Sequence, residues 1–139
     1  MLIYLASPYL HHDYVWRASR AGKAQDALVR LTAMGFVVFS PVALSALLVG
    51  WGSRPWDDPW WYEWSMAFLR KADEVWVLML DDWQESVGVQ AEIDEAQRVG
   101  KPVRYLDPET SEVRNEVDQP RLPGLDEPGD TQPTLEGIE

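Results

Sequence analysis

The sequence predicts an open α/β fold: a flavodoxin-like, Rossmann-like doubly wound parallel sheet with strand order 2-1-3-4. Two observations predict it. Short apolar runs of strand length alternate with helical segments through residues 1–106, the pattern of βαβ units joined by right-handed crossovers. The runs are continuously apolar rather than alternating, as strands become when helices cover both faces of a sheet.

The first run, residues 2–6, is stopped by Ser7-Pro8. A helix is predicted over 13–34, with Val15, Ala18, Ala21, Leu28 and Leu31 as its apolar stripe and Gly35 as its stop. Residues 36–39 form a second apolar strand ended by Ser40-Pro41, and 42–49 a short helix. Residues 50–59 are rich in Gly, Pro and Asp and read as loop. A helix over 60–72 leads into the third strand, 74–80. After the loop 81–85, a helix over 86–99 ends at Gly100, and 102–106 forms the fourth strand.

Charge divides the chain. From Asp107 onward ten acidic residues face two arginines, a balance of −8, and this stretch holds five of the ten prolines. The first 106 residues carry thirteen acids and ten bases, a balance of −3. A folded domain over 1–106 and an acidic, Pro-rich, disordered tail over 107–139 are therefore expected. A total net charge of −11 argues against a nucleic-acid binder, which needs a basic face. The chain has no cysteine, so neither a disulfide framework nor a thiolate metal site is expected. The first apolar run has strand length and soon meets His11-His12-Asp13, so no signal peptide or membrane span is read and a cytoplasmic location is the expectation.

Glu92 is the residue on which a functional reading turns. It lies in the opening turns of the helix after the third strand, where open α/β sheets bind ligands beyond the strand carboxyl ends. A carboxylate there can attack an electrophile while helix-terminal amides hold an anion. Its alternative is a solvated helix glutamate. In the order 2-1-3-4 the crevice opens between strands 1 and 3, flanked by Ser7-Pro8-Tyr9 and by 81–86, with Tyr4 and Glu92 on either side. Tyr4 by itself also suits a core tyrosine with a satisfied hydroxyl. Trp51, Trp56, Trp60, Trp61 and Trp64 suit a lid that stacks on a base, a dimer contact, or the closure of a small core. His11 and His12 have no carboxylate at ligand spacing, so no metal site is expected. Arg17 and Arg20 lie one helical turn apart, facing either an anion or solvent.

The stretches Ile3-Tyr4-Leu5-Ala6-Ser7-Pro8-Tyr9, Phe39-Ser40-Pro41, Ala72-Asp73-Glu74-Val75, Ser86-x-Gly88-x-x-x-Glu92-x-x-x-Ala96 and Gly100-Lys101-Pro102-Val103, in this order and spacing, resemble the nucleoside 2-deoxyribosyltransferase superfamily, above all its small uncharacterised phage and bacterial branch. The resemblance implies cleavage of an N-glycosidic bond by attack of Glu92 on C1′, with Tyr4 orienting the glutamate. It implies substrate contacts from Ser7, Pro8, Tyr9, His11, Asp81, Trp83, Ser86 and Gly88. A serine at position 86, where transferases of free nucleosides tend to carry aspartate, resembles the related nucleoside 5′-monophosphate hydrolases. A hydroxyl beside helix amides also accommodates a phosphate on physical grounds, although the same serine suits a plain helix cap. One position departs from the family: Ser65 stands where an aspartate usually exchanges a proton with the base. Asp57 or Asp58 are the substitutes within reach of the sequence. The expected partner is a small nucleotide or nucleoside, with no nucleic acid, membrane or cofactor, in a homodimer or higher homo-oligomer. Base exchange between nucleosides, and a catalytically weak nucleotide-binding module, are the alternatives.

Overall fold

The computed structural model describes residues 1–117. Its sheet has the order β2-β1-β3-β4-β5. β1 (Leu2–Ala6) pairs in parallel with β2 (Val37–Phe39) on one side and β3 (Glu74–Leu78) on the other. β4 (Val103–Leu106) continues in parallel from β3, and β5 (Val113–Arg114) adds an antiparallel edge. The four parallel strands have the predicted order, and the switch point lies between β1 and β3.

Each central strand feeds two cores. Tyr4, Val75 and Val77 point to the face covered by α3 (Trp60–Leu69) and α4 (Val87–Arg98), where they meet Met66, Leu69, Val89 and Ile93. Ile3, Leu5, Trp76 and Leu78 point to the opposite face and meet Ala27 and Leu31 of α1 (Tyr14–Ala33). Alternation along a strand with both sides buried is why the sequence shows apolar runs rather than an alternating pattern. α2 (Pro41–Gly50) packs on α1 through Ala21, Ala24, Val42 and Ala43.

Local chemistry explains the boundaries. Asp13 caps α1 by accepting from the Val15 amide at 2.8 Å. Ser40 caps α2, with Pro41 at the first helical position, where a missing N–H costs nothing. Gly35 and Gly100 end α1 and α4 with φ of 96° and 76°, a backbone that L side chains resist.

Two expectations need correction. The stripe of α1 is Ala21, Ala24, Ala27 and Leu31, with Leu28 half-buried beside it; Val15 and Ala18 are exposed, because burial along the helix begins only at Arg20. The sheet also continues past residue 106. β5 is held by the Arg104 guanidinium, which contacts Asn115 and donates to Glu74 at 2.8 Å. The Pro108 carbonyl accepts from Arg30 at 2.6 Å. The tail stretches Gln119-Pro120-Arg121-Leu122-Pro123-Gly124-Leu125 and Gln132-Pro133-Thr134-Leu135-Glu136-Gly137-Ile138 share the pattern Gln-Pro-x-Leu-x-Gly-aliphatic thirteen residues apart, and both lie outside the described residues.

Candidate active site

A cleft of about 550 Å³ opens at the carboxyl ends of β1 and β3, walled by α2, the 51–59 loop, α3 and the start of α4. Its size lies in the range of small-molecule sites. Glu92 forms part of its wall although only 8% of the residue is exposed. The α4 register that buries Val89, Ile93 and Ala96 against β3 turns Glu92 inward beside them.

Tyr4 is fully buried, and its hydroxyl donates to the Glu92 carboxylate Oε2. The pair joins the central strand to the helix across 88 residues of sequence. Burial pushes the Glu92 carboxyl up to about 8; the Tyr4 hydrogen bond pulls the other way and loses. Burial, and then the neighbouring Glu92, raise the Tyr4 phenol well above its usual range. Ser65 lies in the cleft wall within hydrogen-bonding reach of the same phenol and works against that rise.

Glu95, one turn further along α4, has the opposite fate. Arg98 and Arg70 donate to it at 2.7 and 2.8 Å and hold it at about 2. It also pins α3 to α4. The two carboxyls of α4 therefore sit in opposite environments: Glu95 is held as an anion between two arginines, while Glu92 is buried with a hydrogen bond from Tyr4.

At the start of α4, Ser86 accepts from the Val89 amide at 3.2 Å. The first-turn amides of Val87 and Gly88 have no intrahelical acceptor and belong to the cleft wall. A side chain at Gly88 would meet nothing nearer than the Ser86 hydroxyl at 3.9 Å, so that approach is open. Arg20 reaches the cleft from α1, 9% exposed, with one guanidinium nitrogen on the Leu10 carbonyl at 2.8 Å.

The structure gathers Ser7, Tyr9, His11, Ser65, Ser86, Gly88 and Glu92 around one cleft, with Tyr4 behind Glu92. Three expected contacts lie elsewhere. Pro8 is buried at the strand end, outside the wall. Trp83 turns into the core against Tyr105, with ring centroids 5.5 Å apart. Asp81 is exposed, and Asp82 takes its place in the wall through a left-handed backbone with φ of 64°. Sequence reasoning passed over Ser45, Val49 and Ala91, whose apolar or small side chains carry little signal of their own, and Glu85, which reads as an ordinary loop carboxylate.

The tryptophans divide. Trp56 and Trp61 line the cleft, and the Arg17 guanidinium lies 4.3 Å from the Trp56 ring centroid. Trp64 is half-buried and packs against Phe39 and the exposed Phe68, and Trp51 is exposed. Both loop aspartates line the cleft, but Asp58 is bound to Arg54 at 2.6 Å and to the Trp60 amide at 2.8 Å. The amide bond, then Arg54, lower its pKa, which makes it a poor proton donor. Glu63 is exposed and outside the wall. Among the described residues no group of three or more His, Asp or Glu is placed to hold a metal ion, and no helix is long and apolar enough to cross a membrane.

Among solved structures, the chain is similar to the 2-deoxyribosyltransferase of the psychrotolerant bacterium Bacillus psychrosaccharolyticus. The two share 21% identity over 86% of this chain and 77% of that one, with a TM-score of 0.54. At that identity the likeness establishes a common fold. No curated protein matches the chain. A family model described as "Domain of unknown function (DUF1937)" matches residues 1–107, which span β1 to β4 and every cleft residue named above, and the chain belongs to that family.

Proposed function

We propose that the protein cleaves the N-glycosidic bond of nucleoside 5′-monophosphates, with Glu92 as nucleophile at C1′ and water resolving the glycosyl-enzyme. The observation that carries this reading is a buried glutamate in a cleft wall, held from behind by the hydroxyl of Tyr4. A tyrosine that donates to one carboxylate oxygen fixes the rotamer and leaves the other oxygen for attack. Attack displaces the base with its bonding electron pair; hydrolysis of the resulting ester returns the carboxylate and releases the sugar, with retention overall.

Support for the phosphate comes from the open α4 terminus at Ser86, Val87 and Gly88 and from the buried guanidinium of Arg20. The aromatic faces of Trp56 and Trp61 offer a surface for the base. A second reading, base exchange between free nucleosides, is favoured by one observation: Asp57, Asp58, Asp82, Glu85 and Glu92 all line the cleft, where Arg20 is the sole Arg or Lys among the described residues. A wall so rich in carboxylates suits an uncharged ligand.

Incubation with a panel of nucleosides and their 5′-monophosphates, with free base as readout, tests both. Base release from monophosphates that is abolished in Glu92→Ala is expected. Base release confined to free nucleosides supplied with a second base selects the exchange reading. Turnover that survives Glu92→Ala removes the nucleophile assignment.

A further inference from the structure

We infer that the Ser7 hydroxyl is a specificity contact, hydrogen-bonded to a hydroxyl of the substrate's furanose. This deepens the proposed glycosidic cleavage and rests on it. Ser7 follows directly on β1 and is 4% exposed, yet its Oγ has no hydrogen-bond partner in the protein. It belongs to the cleft wall. A buried hydroxyl without a partner costs about 1–3 kcal/mol, so native proteins keep few of them. Of the two such groups among the described residues, the other is the Arg30 Nε, whose terminal nitrogens are engaged by Asp26 and Pro108 far from the cleft. Of the two, Ser7 alone belongs to the cleft wall.

The layout of the cleft selects the sugar as partner. The base needs aromatic faces, which Trp56 and Trp61 supply, and an anion needs the amides at the start of α4. Glu92 must reach C1′, so the furanose lies between those two regions and against the end of β1. Ser7 is three residues beyond Tyr4, about 10 Å along the strand direction. A serine hydroxyl both donates and accepts, as a sugar hydroxyl does, and each would satisfy the other. A site built to hydrogen-bond a substrate hydroxyl rejects the analogue that lacks it far more strongly than an apolar pocket rejects an extra group.

The test crosses Ser7→Ala with substrates that lack one hydroxyl. Wild type and Ser7→Ala are each given ribo-, 2′-deoxyribo- and 3′-deoxyribonucleoside 5′-monophosphates, and kcat/KM for base release and calorimetric Kd are measured. Ser7→Ala should lose about tenfold or more on substrates carrying the contacted hydroxyl, and nothing further on the analogue lacking it. Which analogue abolishes the loss identifies the 2′ or the 3′ hydroxyl. The melting temperature of the empty variant should not fall, because an unsatisfied group has been removed. Equal losses on all three substrates, no loss on any, or a fall in melting temperature that accounts for the lost activity would overturn the inference while leaving the glycosidase reading standing. Failure of the wild type to bind or cleave any member of the panel would remove both.

Discussion

Replacing Glu92 with Gln should make the protein more resistant to high pH. The substitution keeps the shape of the side chain and an oxygen that can accept from Tyr4, and removes only the ionisation. The Glu92 carboxyl sits at about 8, against 4.5 for an ordinary glutamate, because burial disfavours its anion. Each pKa unit is about 1.4 kcal/mol, so the ceiling on the linked free energy is roughly 5 kcal/mol. A folded-state pKa raised above the unfolded one contributes stability that is fully present below about 4.5. That contribution drains away as pH climbs to about 8 and is then gone. Wild type should therefore lose several kcal/mol relative to Glu92→Gln between pH 4.5 and 8, with no further divergence above. Urea denaturation of both proteins at half-unit pH steps measures this, and differences between them cancel every other titrating group. With a total stability of about 5–15 kcal/mol, such a gap is easily resolved. A gap that stays constant, or that closes as pH rises, would show Glu92 already ionised in the fold and would refute the argument from burial.

Ser65→Asp should accelerate base release from a natural nucleotide, with less gain when the base is already a good leaving group. It sets a carboxyl in the cleft wall beside the Tyr4–Glu92 pair, and general acid catalysis is typically worth about 10²–10⁴-fold. An unchanged rate, with Asp57→Asn crippled instead, would place the acid on the 51–59 loop. Truncation after Val117 should leave the melting temperature and activity intact. Truncation after Pro108 should lower the melting temperature by a few degrees, since it removes β5 and the Asn115 partner of Arg104. Equal melting temperatures for the two truncations would show that β5 contributes nothing.

Much of the fold was legible because the signals were redundant. Strand and helix alternation, apolar runs, and stops at Gly35 and Gly100 agreed, and the order 2-1-3-4 followed from them. The meeting of Tyr4 with Glu92 came from the family resemblance; topology alone set the two on either side of the crevice and left Tyr4 open to a core role, and the hydrogen bond appears only in the structure. β5 was hidden because two residues paired at an edge leave no periodic trace. Trp83 was misplaced for a subtler reason. The loop after β3 winds into a short 3₁₀ turn over Trp83–Glu85, which turns the indole toward Tyr105 and leaves Asp82 and Glu85 in the wall. A tryptophan next to a cleft and a tryptophan under it have the same sequence neighbours. Ser7 illustrates the converse: its sequence position was plain, but its lack of any partner appears only once burial is known.

The Glu92 pKa also separates two chemical roles that the geometry alone would allow. A nucleophile must be a carboxylate, and near pH 7 a group titrating at about 8 is only about one-tenth ionised. If Glu92 attacks C1′, kcat/KM should climb close to tenfold per unit below pH 8 and level off above it. The raised pKa then has a use, since the rarer carboxylate is the more basic and better nucleophile, and the positive charge developing on the sugar stabilises it at the moment of attack. If Glu92 instead protonates the departing base, activity should be full at neutral pH and fall through 8. Glu92→Gln cannot tell these apart, because it removes both functions. The pH–rate profile can, measured on a substrate whose base leaves without protonation, so that no second acid contributes. A falling limb at 8 on a natural nucleotide that disappears with this activated substrate would assign Glu92 as the acid. A rising limb on both substrates, joined by trapping of a covalent sugar adduct on Glu92, is the outcome that the burial of Glu92 and its hydrogen bond from Tyr4 predict.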